Sequence, residues 1–139
     1  MTPSPDGLLD TNTFIHAMTH DAHSEECSRF LAALEDGRVD AWLEPIVLHE
    51  LSYALRRWRK EITREEIAEY LLVILGWPGV RGDKESMINA VERWSATPGL
   101  AFVDAYLAAL ASRRGAVIYT KNARDFTQQG IAVPQPLPS

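Results

Sequence analysis

Cysteine is almost missing from this sequence: Cys27 is the single one in 139 residues. No internal disulfide can form, which fits a reducing compartment. Long apolar runs are missing too. The longest, residues 70–75 and 105–111, fall far short of the roughly 20 residues that a bilayer crossing needs. The opening Met1-Thr2-Pro3-Ser4-Pro5 has neither the basic nor the apolar part of a signal peptide, so the expectation is a cytoplasmic protein with no membrane contact. Positive charge is scarce, with 14 basic against 19 acidic residues and a net charge of −5. That balance argues against a binder that holds nucleic acid by global charge alone. There is no internal repeat, no low-complexity segment and no linker beyond the proline-rich tail, residues 134–139. What remains is a chain with 46% apolar residues, long enough to bury a core and too short for two independent domains. A single domain over residues 1–139 is expected.

The apolar spacing places elements along that domain. Gly7-Leu8-Leu9-Asp10 reads as a short buried strand ending on a carboxylate, with a helix from Thr13 to about Thr19. Cys27, Phe30, Leu31 and Leu34 recur at helical spacing after Ser24, which gives Cys27 a core-like position, and residues 39–42 suggest a second strand. Val47, Leu48, Leu51, Leu55 and Trp58 form one apolar stripe with Glu50 at its edge. Thr63 with Glu66 makes a capping box, flanked by Ile62 and Ile67 at the hydrophobic-staple positions. Asp83 can cap a helix carrying Met87, Ile88, Val91 and Trp94. A further helix runs from Ala101 to Arg114, closed by Gly115, and precedes a β-rich run at residues 116–120. Helices alternating with short apolar strands imply an α/β fold with a parallel sheet, in which ligands bind at the carboxyl ends of strands.

Three carboxylates stand where a purely structural role is awkward. Asp10 ends the first strand, Glu50 borders an apolar stripe, and Asp104 enters a helix whose next seven residues leave no polar face and so imply burial all round. A charge at the mouth of such a helix must be capped, paired or bound to a metal. Each acid alone has a plainer explanation: Asp10 as an N-cap, Asp104 as a complement to its helix dipole, Glu50 as a surface glutamate. Three such coincidences together are less economical. Asp125, with Asn122, adds a fourth group just past Thr120, and its plainer role is a turn.

The ordered set Leu8-Leu9-Asp10-Thr11-Asn12, His49-Glu50-Leu51, Phe102-Val103-Asp104-Ala105 and Tyr119-Thr120-Lys121-Asn122-Ala123-Arg124-Asp125-Phe126 resembles the acidic signature of PIN domains, most of all the VapC-type toxins. The similarity runs from residue 8 to about residue 136. It implies a three-layer α/β/α domain with a central, mainly parallel sheet, and a ribonuclease in which Asp10, Glu50 and Asp104 hold Mg²⁺ or Mn²⁺. Asn122 stands where many relatives carry an aspartate, and Asp125 can supply the missing charge as catalytic and metal-binding acid. Thr11, Asn12, Thr120 and Asn122 match positions that support the acids. The resemblance further implies a toxin of a type II toxin–antitoxin pair, a cognate antitoxin as partner and a homodimer; Trp42, Trp58 and Trp77 are candidates for apolar contact surface, though core packing explains large aromatics equally well.

Acids suit this chemistry because hard divalent cations take oxygen ligands, and Mg²⁺ keeps its waters while binding one or two carboxylates plus a substrate phosphate. Arg56, Arg57, Arg59 and Lys60 around Trp58, with Arg113, Arg114, Lys121 and Arg124, are candidates to grip phosphates, though a solvated helix face explains them equally well. Arg57, Arg113, Lys121 and Arg124 are the named substrate contacts. His16, His20 and His23 at i, i+4 and i+7 suggest an adventitious soft-metal contact at most. Two other classes remain: a Mg²⁺-dependent phosphatase, which lacks its usual second aspartate after Asp10, and a catalytically degenerate PIN scaffold that binds RNA or protein without cutting.

Overall fold

A computed structural model describes residues 7–139. The opening residues, read above as lacking a signal peptide, lie outside the described ones. The chain divides into two compact units, Met1–Lys84 and Glu85–Ser139.

In the first unit, α1 spans Thr11–Met18, α2 Ser24–Glu35, β1 Ala41–Trp42, α3 Pro45–Trp58, α4 Arg64–Leu75 and β2 Val80–Arg81. The sheet is parallel, as the alternation implies, but small. Ala41 pairs with Val80 and Trp42 with Arg81, while Leu8 makes only an isolated parallel bridge to Trp42. The expected first strand is thus reduced to one bridge. Its backbone is nonetheless used, since the Leu9 N–H donates to the Trp42 carbonyl (2.9 Å) and the Trp42 N–H to the Gly7 carbonyl (2.8 Å). α1 starts at Thr11, two residues earlier than the pattern suggested, because Asp10 already holds the extended N-cap conformation. Thr11 and Asn12 have low helix propensity, which costs little in a first turn whose N–H groups have no intrahelical partner.

α1 packs on α2 and α3, and α3 on α4. Phe14, Leu34, Leu48, Leu51, Leu55, Ile67, Leu71 and Ile74 are all fully buried between them. The capping box of α4 is formed as read: Thr63 Oγ1 accepts from the Glu66 N–H and the Glu66 carboxylate from the Thr63 N–H, both at 3.1 Å. Two readings need correction. Cys27 is only half-buried and Phe30 is exposed, so the inward face of α2 is carried by Leu31, Ala33 and Leu34. Trp58 closes α3 with 49% of its surface exposed, outside the buried stripe.

β2 is held against the end of α2 by Gly79. Its N–H donates to the Leu34 carbonyl (2.8 Å) and its carbonyl accepts from the Ala41 N–H (2.9 Å). A Cβ at this position would lie 2.6 Å from Leu34 O, 2.8 Å from Leu34 Cα and closer still to Val39 O. Only glycine permits this approach.

In the second unit, α5 (Lys84–Ala96) begins directly after Asp83, α6 spans Phe102–Arg114 and α7 Ala123–Thr127. Trp94 and Phe102 meet edge to face at 6.2 Å. Ala108, Ala111, Phe126 and Ile131 form a small core. Arg93 ties α5 to the chain after α7 through the Gln129 carbonyl (2.9 Å), and Gln129 reaches back to Thr97 Oγ1 (3.0 Å). α6 is not buried all round: it packs through Phe102 and its alanines, leaving Val103 and Leu107 more than 40% exposed. Gly115 ends it in the left-handed conformation (φ 64°), as expected of a C-terminal glycine. Residues 116–120 are not a strand. A β-rich run needs a neighbouring ladder, whereas the Ala116 N–H turns back to the Ala111 carbonyl of α6 (2.9 Å) and the Ile118 N–H reaches the Ala132 carbonyl (3.1 Å).

Among the described residues no helix is long and apolar enough to cross a membrane.

Candidate active site

The four candidate acids fall two to each unit. In the first, Asp10 occupies the N-cap of α1 with its backbone, yet its side chain makes no capping hydrogen bond and is exposed. Capping is therefore not what this carboxylate does. Glu50 lies exposed in the second turn of α3.

Glu50 borders a cleft of about 610 Å³ whose walls come from α1 and α3. α3 presents Glu50, Tyr53, Ala54, Arg57 and Trp58 to it, at i, i+3, i+4, i+7 and i+8. This second stripe lies beside the buried one, and its period was present in the sequence. The apolar content of the first stripe masked it and drew Trp58 into the wrong face. From α1 come Thr11 and Asn12. Thr11 is 6% exposed and its Oγ1 is buried without a hydrogen-bond partner, which places a polar group in want of a ligand on the cleft wall. Tyr53 is steadied by an edge-on contact with His49 at 5.0 Å.

In the second unit Asp104 and Asp125 come together. Asp104 sits half-buried in the first turn of α6, and partial burial followed by the negative charge of Asp125 pushes its carboxyl above the usual carboxylate range. Asp125 is positioned by the turn before α7. The Asn122 N–H donates to Thr120 Oγ1 (2.9 Å), and Asn122 Nδ2 donates to Asp125 Oδ2 (2.7 Å). The amide at residue 122 therefore works on Asp125, and Thr120 works on the amide.

Two carboxylates of which one feels the other's charge are a donor set that suits a hard cation. Among the described residues no three His, Cys, Asp or Glu side chains gather closely enough to hold a metal ion. Mg²⁺ does not require three, since one or two carboxylates with water and substrate phosphate suffice. Asp104 and Asp125 are two such carboxylates within one unit.

The basic candidates divide. Arg57 lines the α1–α3 cleft, and Lys121 and Arg124 are exposed around Asn122. Arg113 is engaged, donating to Ser86 Oγ (2.9 Å) with Glu85 at 3.8 Å in the groove between α5 and α6. The histidines make no common face, because α1 ends at Met18. His16 instead bonds Asp21 (2.8 Å) and meets His23 edge to face at 4.9 Å, while Asp21 also accepts from the Thr19 hydroxyl (2.7 Å) and the His23 N–H (2.8 Å). This is a structural knot of the α1–α2 turn. Trp42 and Trp77 are half-buried, and Trp42 donates Nε1 to Glu44 (3.0 Å), so among the three tryptophans expected to offer apolar surface only Trp58 is open.

Comparison with known protein families matches residues 7–131 to the PIN domain, a segment that includes all four acids. No curated protein matches the chain.

Proposed function

The chain belongs to the PIN domain family, whose members are typically nucleases that use divalent metal ions, and from that membership we propose that it is a Mg²⁺-dependent endoribonuclease, the toxin half of a toxin–antitoxin pair of the VapC type. The observation that carries the nuclease reading is Asp104, half-buried and within the field of Asp125, whose carboxylate is held by the Asn122 side-chain amide. Asp10 and Glu50, which the family resemblance assigns to the same task, are exposed carboxylates, and Asp10 is released from capping duty.

In this reading Asp104 and Asp125, with Asp10 and Glu50, hold Mg²⁺ or Mn²⁺, which when bound polarises a phosphodiester and activates water for attack on phosphorus. The chain's own residues do the rest. Asn122 and Thr120 fix the orientation of Asp125, and Thr11 and Asn12 line the approach beside Glu50. Arg57, Lys121 and Arg124 take phosphate oxygens of the flanking nucleotides. The family match crosses both units, which supports reading residues 1–139 as one functional domain. A small antitoxin covering the acids and a homodimeric toxin complete the proposal.

A second reading, a PIN scaffold that binds without cutting, is favoured by Asn122, an uncharged residue in the acidic signature, and by the net charge of −5. One experiment separates the two. Purified protein is incubated with a panel of structured RNAs in Mg²⁺, Mn²⁺ or EDTA, beside Asp10→Asn and Asp104→Asn. Metal-dependent cleavage lost in both variants supports the nuclease; intact RNA throughout, from folded protein free of antitoxin, supports the scaffold.

A further inference from the structure

The α1–α3 cleft carries chemistry beyond the acids. Tyr53 and Trp58 line it with 55% and 49% of their surfaces exposed, two aromatic faces on one cleft. Arg57 lies between them in sequence and lines the same wall. Residues 56–64 bring Arg56, Arg57, Arg59, Lys60 and Arg64 against the single acid Glu61, a local charge of +4 in a chain of net −5. The crowding is felt by Arg64, whose guanidinium is pushed below its usual range by burial and then by Arg56.

Exposed aromatics set among cations form a stacking platform for single-stranded nucleic acid, since every base offers a π-face and every linkage a negative charge. An apolar peptide would leave Arg57, the cation on the cleft wall, unanswered. We propose that this cleft is a nucleobase subsite: one unstacked base of single-stranded RNA lies against Trp58 and Tyr53, and its phosphate is taken by Arg57. The inference rests on the nuclease reading for its placement, because Glu50, one of the acids which that reading assigns to the metal, borders the same cleft. It makes Trp58 the residue on which an unpaired base is held. The cleft volume of about 610 Å³ is in the range of small-ligand sites.

The test is fluorescence anisotropy in EDTA with fluorescein-labelled eight-nucleotide A and U oligoribonucleotides and a blunt RNA duplex of the same length. Wild-type protein is compared with Trp58→Ala, Trp58→Phe and Arg57→Ala, all changes at exposed positions, with the melting temperature of each variant recorded. Trp58→Ala should weaken single-strand binding about 5- to 100-fold, the weight of one base–aromatic stack, with Trp58→Phe recovering most of it. The duplex should bind weakly and be indifferent to residue 58. Arg57→Ala should flatten the salt dependence of single-strand binding by roughly one phosphate contact. Single-strand binding unchanged in Trp58→Ala, equal losses on single strand and duplex, or no single-strand binding by wild-type protein would each overturn the subsite. The two proposals fail separately. Cleavage with Mg²⁺ that is indifferent to Trp58→Ala removes the subsite and keeps the nuclease; stacking through Trp58 without cleavage does the reverse. If a peptide rich in acidic and apolar residues competes off no RNA and alone depends on Trp58, the cleft belongs to a protein partner and the proposal falls.

Discussion

Gly79→Ala adds a single methyl group where the backbone of two other segments already stands. The new Cβ would sit 2.6 Å from Leu34 O and 2.8 Å from Leu34 Cα, with Val39 O closer again. Those are main-chain atoms, so no side chain can rotate out of the way. Relief requires β2 to move off the end of α2, which strains the Gly79–Leu34 and Ala41–Gly79 hydrogen bonds at 2.8 and 2.9 Å. Overpacking costs about 1–3 kcal/mol, and each weakened hydrogen bond adds about 0.5–1.5 kcal/mol. The stiffer unfolded chain gives back about 0.4–1 kcal/mol. The net expectation is a loss of about 2–4 kcal/mol, or roughly 6–15 °C in melting temperature for a chain of this size. Urea unfolding followed by far-UV circular dichroism measures it, with Gly115→Ala as the comparison. Gly115 has a positive φ of 64° but nothing within 4 Å of a built Cβ, so alanine there meets only the left-handed backbone penalty of about 1–2 kcal/mol. Equal losses in the two variants would refute the argument from close approach.

The other expectations concern the acids and the helix ends. Mn²⁺ at 100 times its dissociation constant should raise stability by about 2.7 kcal/mol, and Asp104→Asn should abolish that gain; an unaltered melting curve in wild-type protein would remove the metal site. In metal-free protein the raised Asp104 carboxyl holds its proton more firmly folded than unfolded. Its stabilising share is therefore complete below the ordinary aspartate pKa and is lost as pH rises through the folded value. Asp125→Asn should bring Asp104's titration, followed by carboxyl ¹³C NMR, down toward the usual range but not into it, because burial remains the larger cause. Asp21 behaves oppositely: the Thr19 hydroxyl, His16 and the His23 N–H hold its carboxyl well below the usual range, so its contribution is present at neutral pH and lost in acid. The melting-temperature deficit of Asp21→Ala should accordingly shrink as pH falls below about 4. Thr63→Ala opens the capping box of α4 and should cost about 0.5–2 kcal/mol in urea unfolding, with Thr63→Gly milder.

The helices were readable because their signals are local. The Thr63–Glu66 box and Gly115 act within one turn, and both are found as read. Strands were less readable, because a strand exists only by pairing. Residues 116–120 have the composition of a strand without a ladder, whereas Ala41–Trp42 earns its place through Val80–Arg81 and the glycine beside it. The acids were legible as positions, and their relations were not. Nothing in the order of residues says that Asn122 would give its amide to Asp125, or that Asp104 would feel Asp125's charge. The α1–α3 cleft was hidden for a different reason. Glu50, Tyr53, Ala54, Arg57 and Trp58 share a helical face of mixed chemistry, and a search for apolar periodicity passes over it.

The bond from Asn122 Nδ2 to Asp125 Oδ2 uses one of the carboxylate's acceptor sites and leaves the others open. An uncharged side chain thereby decides which way a charged one faces, so the direction of Asp125's charge is set by a neighbour three residues back and not by the backbone alone.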